Sequence, residues 1–152
     1  MPTNVIEMYR APGALPPQIK GVKGWLLWKL EQRQGESKAR KVPYYIDGRR
    51  RRGAQGGKAD LEALATLDRA ALACSKGGYS GIGLAVLPQW GITAVDFDEV
   101  ISDGAIRQDV AALIAGTYSE VSPSGNGVRT FFLGSVPANR KDNRGLPQVE
   151  FF

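Results

Sequence analysis

The segment Gly91-Ile92-Thr93-Ala94-Val95-Asp96-Phe97-Asp98-Glu99-Val100 carries an apolar, β-branched run into two aspartates separated by one aromatic residue. Successive side chains of a strand point to opposite faces, so Asp96 and Asp98 are expected on one face and Val95 and Phe97 on the other, in a core. Two carboxylates side by side raise each other's pKa unless a cation neutralises them. A divalent ion such as Mg²⁺ suits the task, because it takes one or two carboxylates and keeps its other positions for water and phosphate. The plainer alternative is a strand end that enters an acidic surface loop.

Composition narrows the chemistry. A chain of 152 residues, 43% hydrophobic and with net charge +5, reads as a soluble globular domain, alone or with part of another. No apolar run approaches membrane-span length, and Met1 to Arg10 has no apolar signal core, so no membrane partner and a cytoplasmic setting are expected. One cysteine, Cys74, and no histidine exclude a Cys/His zinc site, a disulfide framework and a histidine-based triad. Carboxylates, hydroxyls, lysine, arginine or a bound metal are left to do the work.

The positive charge is uneven. Lys38, Arg40 and Lys41 precede the run Arg49-Arg50-Arg51-Arg52, with Tyr44 and Tyr45 between the clusters. Basic groups interleaved with aromatics suit a phosphate backbone and unstacked bases, and four adjacent arginines repel without a partner. The alternative is a solvated hairpin kept soluble by its charges.

Along the chain, residues 1–20, with Pro12, Pro16 and Pro17, read as an extended lead-in, and 21–152 as the functional domain. Strands are expected at Trp25–Leu30 and Lys41–Ile46, a hairpin whose inner face offers tryptophan and tyrosine, with Pro43 placing the second near a sheet edge. Lys58 to Ser75 has helical spacing and ends at Gly77-Gly78, with Cys74 a small buried hydrophobe. Gly81 to Leu87 and Gly91 to Asp98 are expected to pair as a central hairpin. A helix is expected from Asp103 to Ala115, capped by Ser102, with Ile106, Val110, Leu113 and Ile114 inward. Tyr118–Val121 and Val128–Leu133 flank Asn126-Gly127 as a hairpin, Pro137 to Pro147 is a polar loop, and Gln148 to Phe152 is a strand.

Glu150, between Val149 and Phe151, stands on the polar face of that last strand. Beside Asp96 and Asp98 it would complete a site for two divalent ions, although alone it is an ordinary strand glutamate. The turn Ser122-Pro123-Ser124-Gly125-Asn126-Gly127 can offer N–H groups and hydroxyls to a phosphate, with Arg129 adding charge, or can be a plain turn.

The ordered set Trp25, Trp28, Lys29; Lys41, Pro43, Tyr44; Gly81, Gly83; Asp96, Asp98; Tyr118, Glu120 to Gly125, Gly127; and Glu150 resembles the archaeo-eukaryotic primase superfamily. More narrowly, it resembles the primase–polymerase domains of phage and plasmid replication proteins, from Trp25 to the last residues. The resemblance implies an α+β fold: a mostly antiparallel, RRM-like central sheet with helices on one side and a smaller N-terminal αβ portion. It implies that Asp96, Asp98 and Glu150 bind catalytic Mg²⁺ or Mn²⁺, and that Ser122, Ser124, Gly125, Asn126, Gly127 and Arg129 hold a nucleotide's triphosphate, with Lys41 nearby. Lys38, Arg40, Tyr44, Arg49, Arg50, Arg51 and Arg52 are then the expected contacts to a single-stranded DNA template. Trp25 and Trp28 are core residues or border the nucleotide.

The implied activity is metal-dependent transfer of an NTP or dNTP onto a primer's 3′-hydroxyl, beside a helicase. Relatives follow the Ser-Gly-x-Gly turn with a hydrophobic residue and a histidine. Here Val128 and Arg129 follow, and arginine grips phosphate but donates no proton near neutral pH. Relatives also continue past the hydrophobic-Glu strand, so the domain is expected to be incomplete at its C-terminal end. A non-catalytic nucleotide- or nucleic-acid-binding module is one rival reading. A metal-dependent glycosyltransferase, using Asp-x-Asp for a sugar nucleotide, is the other.

Overall fold

The computed structural model describes residues 15–134, together with the backbone of 140–142 and 149–151. The fold is α+β, with small antiparallel sheets and a few short helices. The chain divides into two compact units, Pro17–Leu87 and one that begins at Pro88. No helix among the described residues is long and apolar enough to cross a membrane. The expected lead-in lies largely outside the described residues, and its end forms one helical turn, α1 (Pro17–Lys20).

The first unit is built on a three-stranded sheet, order β2-β1-β3, from β1 (Trp25–Glu31), β2 (Arg40–Tyr44) and β3 (Gly81–Leu84). Its register pairs Leu27 with Tyr44 and Trp28 with Pro43. Paired residues share a face, so Trp25 and Tyr44 lie on one side, the expected tryptophan–tyrosine face, and Trp28 lies on the other. Trp28 instead lies flat on β3. Its indole Nε1 donates to the Ile82 carbonyl at 3.1 Å, and a Cβ at Gly81 would sit 2.8 Å from that nitrogen. The Gly81-x-Gly83 pattern thus makes room for an indole. As expected, Pro43 lies on an edge strand, where its missing N–H breaks no ladder and its carbonyl accepts from Arg51 N at 2.9 Å.

The expected Lys58–Ser75 helix is two helices, α2 (Lys58–Ala63) and α3 (Leu67–Ser75). Between them Leu64 and Thr66 are extended, and Ala65 exchanges both backbone hydrogen bonds with Trp25 at 2.9 Å. Leu64 and Ala65 are buried there, so a tertiary bridge overrides local helix propensity. The break rotates the inward face: Ala70 is buried, whereas Leu72 is exposed and Cys74 only half-buried.

The second unit holds a five-stranded antiparallel sheet, order β7-β8-β4-β10-β9. Its strands are β4 (Ile92–Phe97), β7 (Tyr118–Val121), β8 (Val128–Leu133), β9 (Arg140–Asp142) and β10 (Val149–Phe151). β4 pairs with β8 and β10, and β3 pairs with β1, so the expected central hairpin of β3 and β4 does not form. Pro88 starts a 3₁₀ turn (Pro88–Trp90) between them. Arg140–Asp142, expected as loop, is a strand beside β10.

Asp103 and Gly104 both have positive φ, the pattern of a type I′ turn joining β5 (Ile101–Ser102) to β6 (Ala105–Ile106). The helix expected from Asp103 therefore starts later, as α4 (Gln108–Ile114). Ile106, Val110 and Ile114 pack with Val95, Phe97, Val100 and Val128 in one apolar cluster, while Leu113 faces solvent. That cluster covers one face of β4 and β8. Asp96 lies on the other face.

Candidate functional site: a charged row across the second sheet

The site follows from register. β7 and β8 are joined by the loop Ser122–Gly127, which pairs Val121 with Val128 and therefore Glu120 with Arg129. β8 and β4 pair Arg129 with Asp96, and β4 and β10 pair Asp96 with Glu150. Across four adjacent strands the order is Glu120, Arg129, Asp96, Glu150. Glu150 is placed here by its backbone alone, opposite Asp96.

Arg129 and Asp96 form a bidentate ion pair. Arg129 Nε donates to Asp96 Oδ1 and Nη2 to Oδ2, both at 2.6 Å. The Asp96 side chain is 19% exposed and that of Arg129 41%, so the pair is partly shielded from solvent and open on one side. The hydrogen bonds and charge of Asp96 raise the guanidinium's pKa against the opposing effect of burial, and the charges of Glu120 and Asp98 add to the rise. Glu120 is held in turn by Tyr118, whose hydroxyl donates to Oε1 at 2.6 Å. Burial, and then that hydrogen bond, push the phenol's pKa upward.

Asp98 falls just past the end of β4 and is half-buried. The next residue, Glu99, has φ of 54°, a left-handed conformation uncommon outside glycine. That turn brings the Val100 and Ile101 amides to the Asn126 carbonyl, both at 2.9 Å, so the chain after Asp98 is tied to the Ser122–Gly127 loop. Gly127 packs against the strand end itself, since a Cβ there would lie 2.9 Å from the Phe97 carbonyl oxygen.

The loop is not the two-residue Asn-Gly turn that the sequence suggests. Gly125 N donates to the Ser122 carbonyl at 2.8 Å, Gly127 N to Ser122 Oγ at 3.0 Å, and Gly125 takes the positive φ. Ser122 and Ser124 hydroxyls share a 2.8 Å hydrogen bond, and Ser124 also donates to Asn126 Oδ1. Ser124 and Asn126 are exposed. The loop hydroxyls are therefore pre-ordered by one another at the surface beside Arg129.

A hard divalent ion prefers oxygen donors, and the row supplies only carboxylates, with a cation already seated on Asp96. Asp96, Asp98 and Glu150 would supply oxygen donors of the kind Mg²⁺ or Mn²⁺ takes. Among the described residues no group of three or more Asp, Glu, Cys or His side chains gathers to hold an ion, and the side chain of Glu150 lies outside them.

Lys41 and the expected DNA contacts belong to the first unit. Lys41 is exposed, with Nζ 4.8 Å from the centroid of the Trp28 ring. Arg40 pairs with Glu36 at 2.7 Å, Arg49 with Asp47 at 2.8 Å and Arg50 with Glu31 at 3.0 Å, while Lys38 and Arg52 are exposed. Tyr44 donates to Glu31, and its ring and that of Tyr79 flank Lys29 Nζ at 5.0 and 4.6 Å. Arg51 departs from expectation. Its side chain is 7% exposed and holds the buried Asp60 through Nε at 2.8 Å and Nη2 at 2.7 Å, so it has no charge to offer a phosphate.

The sequence reading missed two partners. Glu120 stands in the sequence as one member of a motif, although counting back from the hairpin loop places it opposite Arg129. Tyr79 carried no local signal, being alone between Gly78 and Ser80. Compared with known proteins, the sequence matches no protein-family model and no curated protein.

Proposed function

We propose that this chain is the catalytic domain of a primase–polymerase of the archaeo-eukaryotic type, with the RRM-like sheet of that class. It extends primers on single-stranded DNA from NTPs or dNTPs with Mg²⁺ or Mn²⁺, and works beside a helicase. One observation carries the reading. The register seats Asp96 between Arg129 and Glu150, with Asp98 at the strand end and a loop bearing two serine hydroxyls tied to that end.

In this reading Ser122, Ser124 and Arg129 bind the triphosphate and orient its α-phosphorus. A bond forms from the primer 3′-oxygen to that phosphorus, the bond to pyrophosphate breaks, and the hydroxyl proton passes to water, since the chain has no histidine. A bound divalent ion supplies a lowered hydroxyl pKa and neutralises the leaving pyrophosphate. Asp96, Asp98 and Glu150 would hold it. Arg129 stays charged throughout and acts by position and charge.

The Arg129–Asp96 pair itself favours a second reading, a nucleotide-binding module that performs no transfer. Primer extension on single-stranded DNA with Mn²⁺, beside Asp96→Asn and Asp98→Asn, separates the two. The polymerase reading expects product that needs the metal and is lost in both variants with the circular dichroism unchanged. Full activity in both variants would reject it.

A further inference from the structure

Asp96 has two claimants, and so does Arg129. The guanidinium covers both oxygens of Asp96, the position from which a divalent ion would reach the same carboxylate. A cation bound there meets the fixed charge of Arg129 and must share or displace it. Arg129 lies two residues past the Ser122–Gly127 loop, with 41% of its side chain exposed. A triphosphate seated on that loop carries more negative charge than one carboxylate, and its oxygens match the guanidinium fork.

We propose that Arg129 is a resident counter-ion: it occupies the cation position on Asp96 until a nucleoside triphosphate draws it away and opens the carboxylates to Mg²⁺ or Mn²⁺. The inference rests on the reading of Asp96 as a metal-bearing residue. It adds an order of events, because metal binds weakly to the nucleotide-free protein and triphosphate and metal then promote each other's binding. That coupling is reciprocal by linkage, so Mn²⁺ tightens triphosphate binding by the same factor. The carboxylate row stays neutralised while no nucleotide is present, which also spares the sheet the repulsion between Asp96 and its neighbours.

The test is Mn²⁺ binding to the whole chain, read from the electron paramagnetic resonance of the free ion. Inorganic triphosphate is the probe, and a protein-free titration subtracts the metal that it carries. Arg129→Gln without triphosphate is expected to bind Mn²⁺ about tenfold tighter than the unmodified protein, since a unit charge a few ångströms away is removed. Adding triphosphate tightens the unmodified protein by a similar factor and leaves Arg129→Gln little changed, and Asp96→Asn on top of Arg129→Gln removes the gain.

Arg129→Lys, which keeps the charge without the fork, gives an intermediate affinity and carries the comparison if the glutamine variant melts below assay temperature. Equal Mn²⁺ affinity in the variants and the unmodified protein, or no Mn²⁺ binding in any of them, overturns the proposal. Coupling without primer extension would reject the polymerase reading alone. Primer extension without coupling would reject the exchange alone.

Discussion

Asp60→Asn should destabilise the first unit far more than its place in a polar stretch suggests. The Asp60 carboxylate, 3% exposed, accepts hydrogen bonds from Arg51 Nε at 2.8 Å, Arg51 Nη2 at 2.7 Å, Gly56 N at 2.8 Å and Tyr45 Oη at 2.8 Å. An asparagine removes the charge and turns one acceptor into a donor that faces the guanidinium. Breaking a buried pair from one side leaves the other charge uncompensated and costs about 3–5 kcal/mol. A unit of this size has a total stability of about 4–10 kcal/mol, so the variant should sit near its unfolding threshold. With a urea m-value of about 1 kcal/mol/M, the midpoint should fall by about 3–5 M.

Fluorescence in a Trp90→Phe background isolates the unit, because the remaining tryptophans, Trp25 and Trp28, both lie in it. The pH dependence supplies a second readout. The Arg51 hydrogen bonds hold the Asp60 pKa well below the ordinary carboxylate value, against the opposing effect of burial. Its contribution is therefore complete above the unfolded-state pKa of about 3.9 and fades as pH falls below that value toward the folded one. The unmodified unit should lose stability in that window, and Asp60→Asn should lack that part of the loss. A double change, Arg51→Met with Asp60→Leu, should recover much of the stability. A loss below about 1 kcal/mol for Asp60→Asn would refute the buried, charge-paired geometry.

Other consequences are as direct. Gly81→Ala should displace the Trp28 indole and cost about 1–3 kcal/mol by overpacking, whereas Gly83→Ala, whose Cβ would meet its nearest neighbours at 3.5 and 3.6 Å, should be close to neutral. Urea melts of the two variants decide the point, and equal losses would contradict it. Replacing Arg49, Arg50 and Arg52 together by alanine should weaken single-stranded DNA binding and flatten its salt dependence by up to about two log units per log of salt, with little loss of fold. An unchanged salt slope would take the template away from this segment.

In the second sheet the β7–β8 hairpin was legible because its information is local: the turn residues between Val121 and Val128 place Glu120 opposite Arg129 by counting. The pairing of β4 with β8, which sets Asp96 beside Arg129, joins residues far apart in the chain, and alternation in Ile92–Phe97 fixes only which face Asp96 takes. Glu150 joins them because a short apolar strand with one acid has only one polar face to offer. The Asp103-Gly104 turn was equally readable, yet the helical spacing after it obscured the signal. What escaped was non-local. Nothing near Ala65 announces that Trp25 will take its hydrogen bonds, and nothing in Gly81–Leu84 selects β1 over β4 as its neighbour. Arg51 looks like its three neighbours in sequence, and differs only because the strand-like pairing of Arg50 and Arg51 beside β2 turns alternate side chains inward onto Asp60.

That return of the chain beside β2 also bears on how the protein keeps to itself. An outermost strand normally presents unpaired N–H and C=O groups that invite a strand from another molecule. Here Tyr45 N donates to the Arg49 carbonyl, Arg51 N donates to the Pro43 carbonyl, and Pro43 has no N–H to give. Arg49 and Arg50 are held there by Asp47 and Glu31, and Arg52 is exposed. The pairing groups of the chain edge at Pro43 and Tyr45 are thus already spent, at the same stretch whose charge suits a nucleic acid.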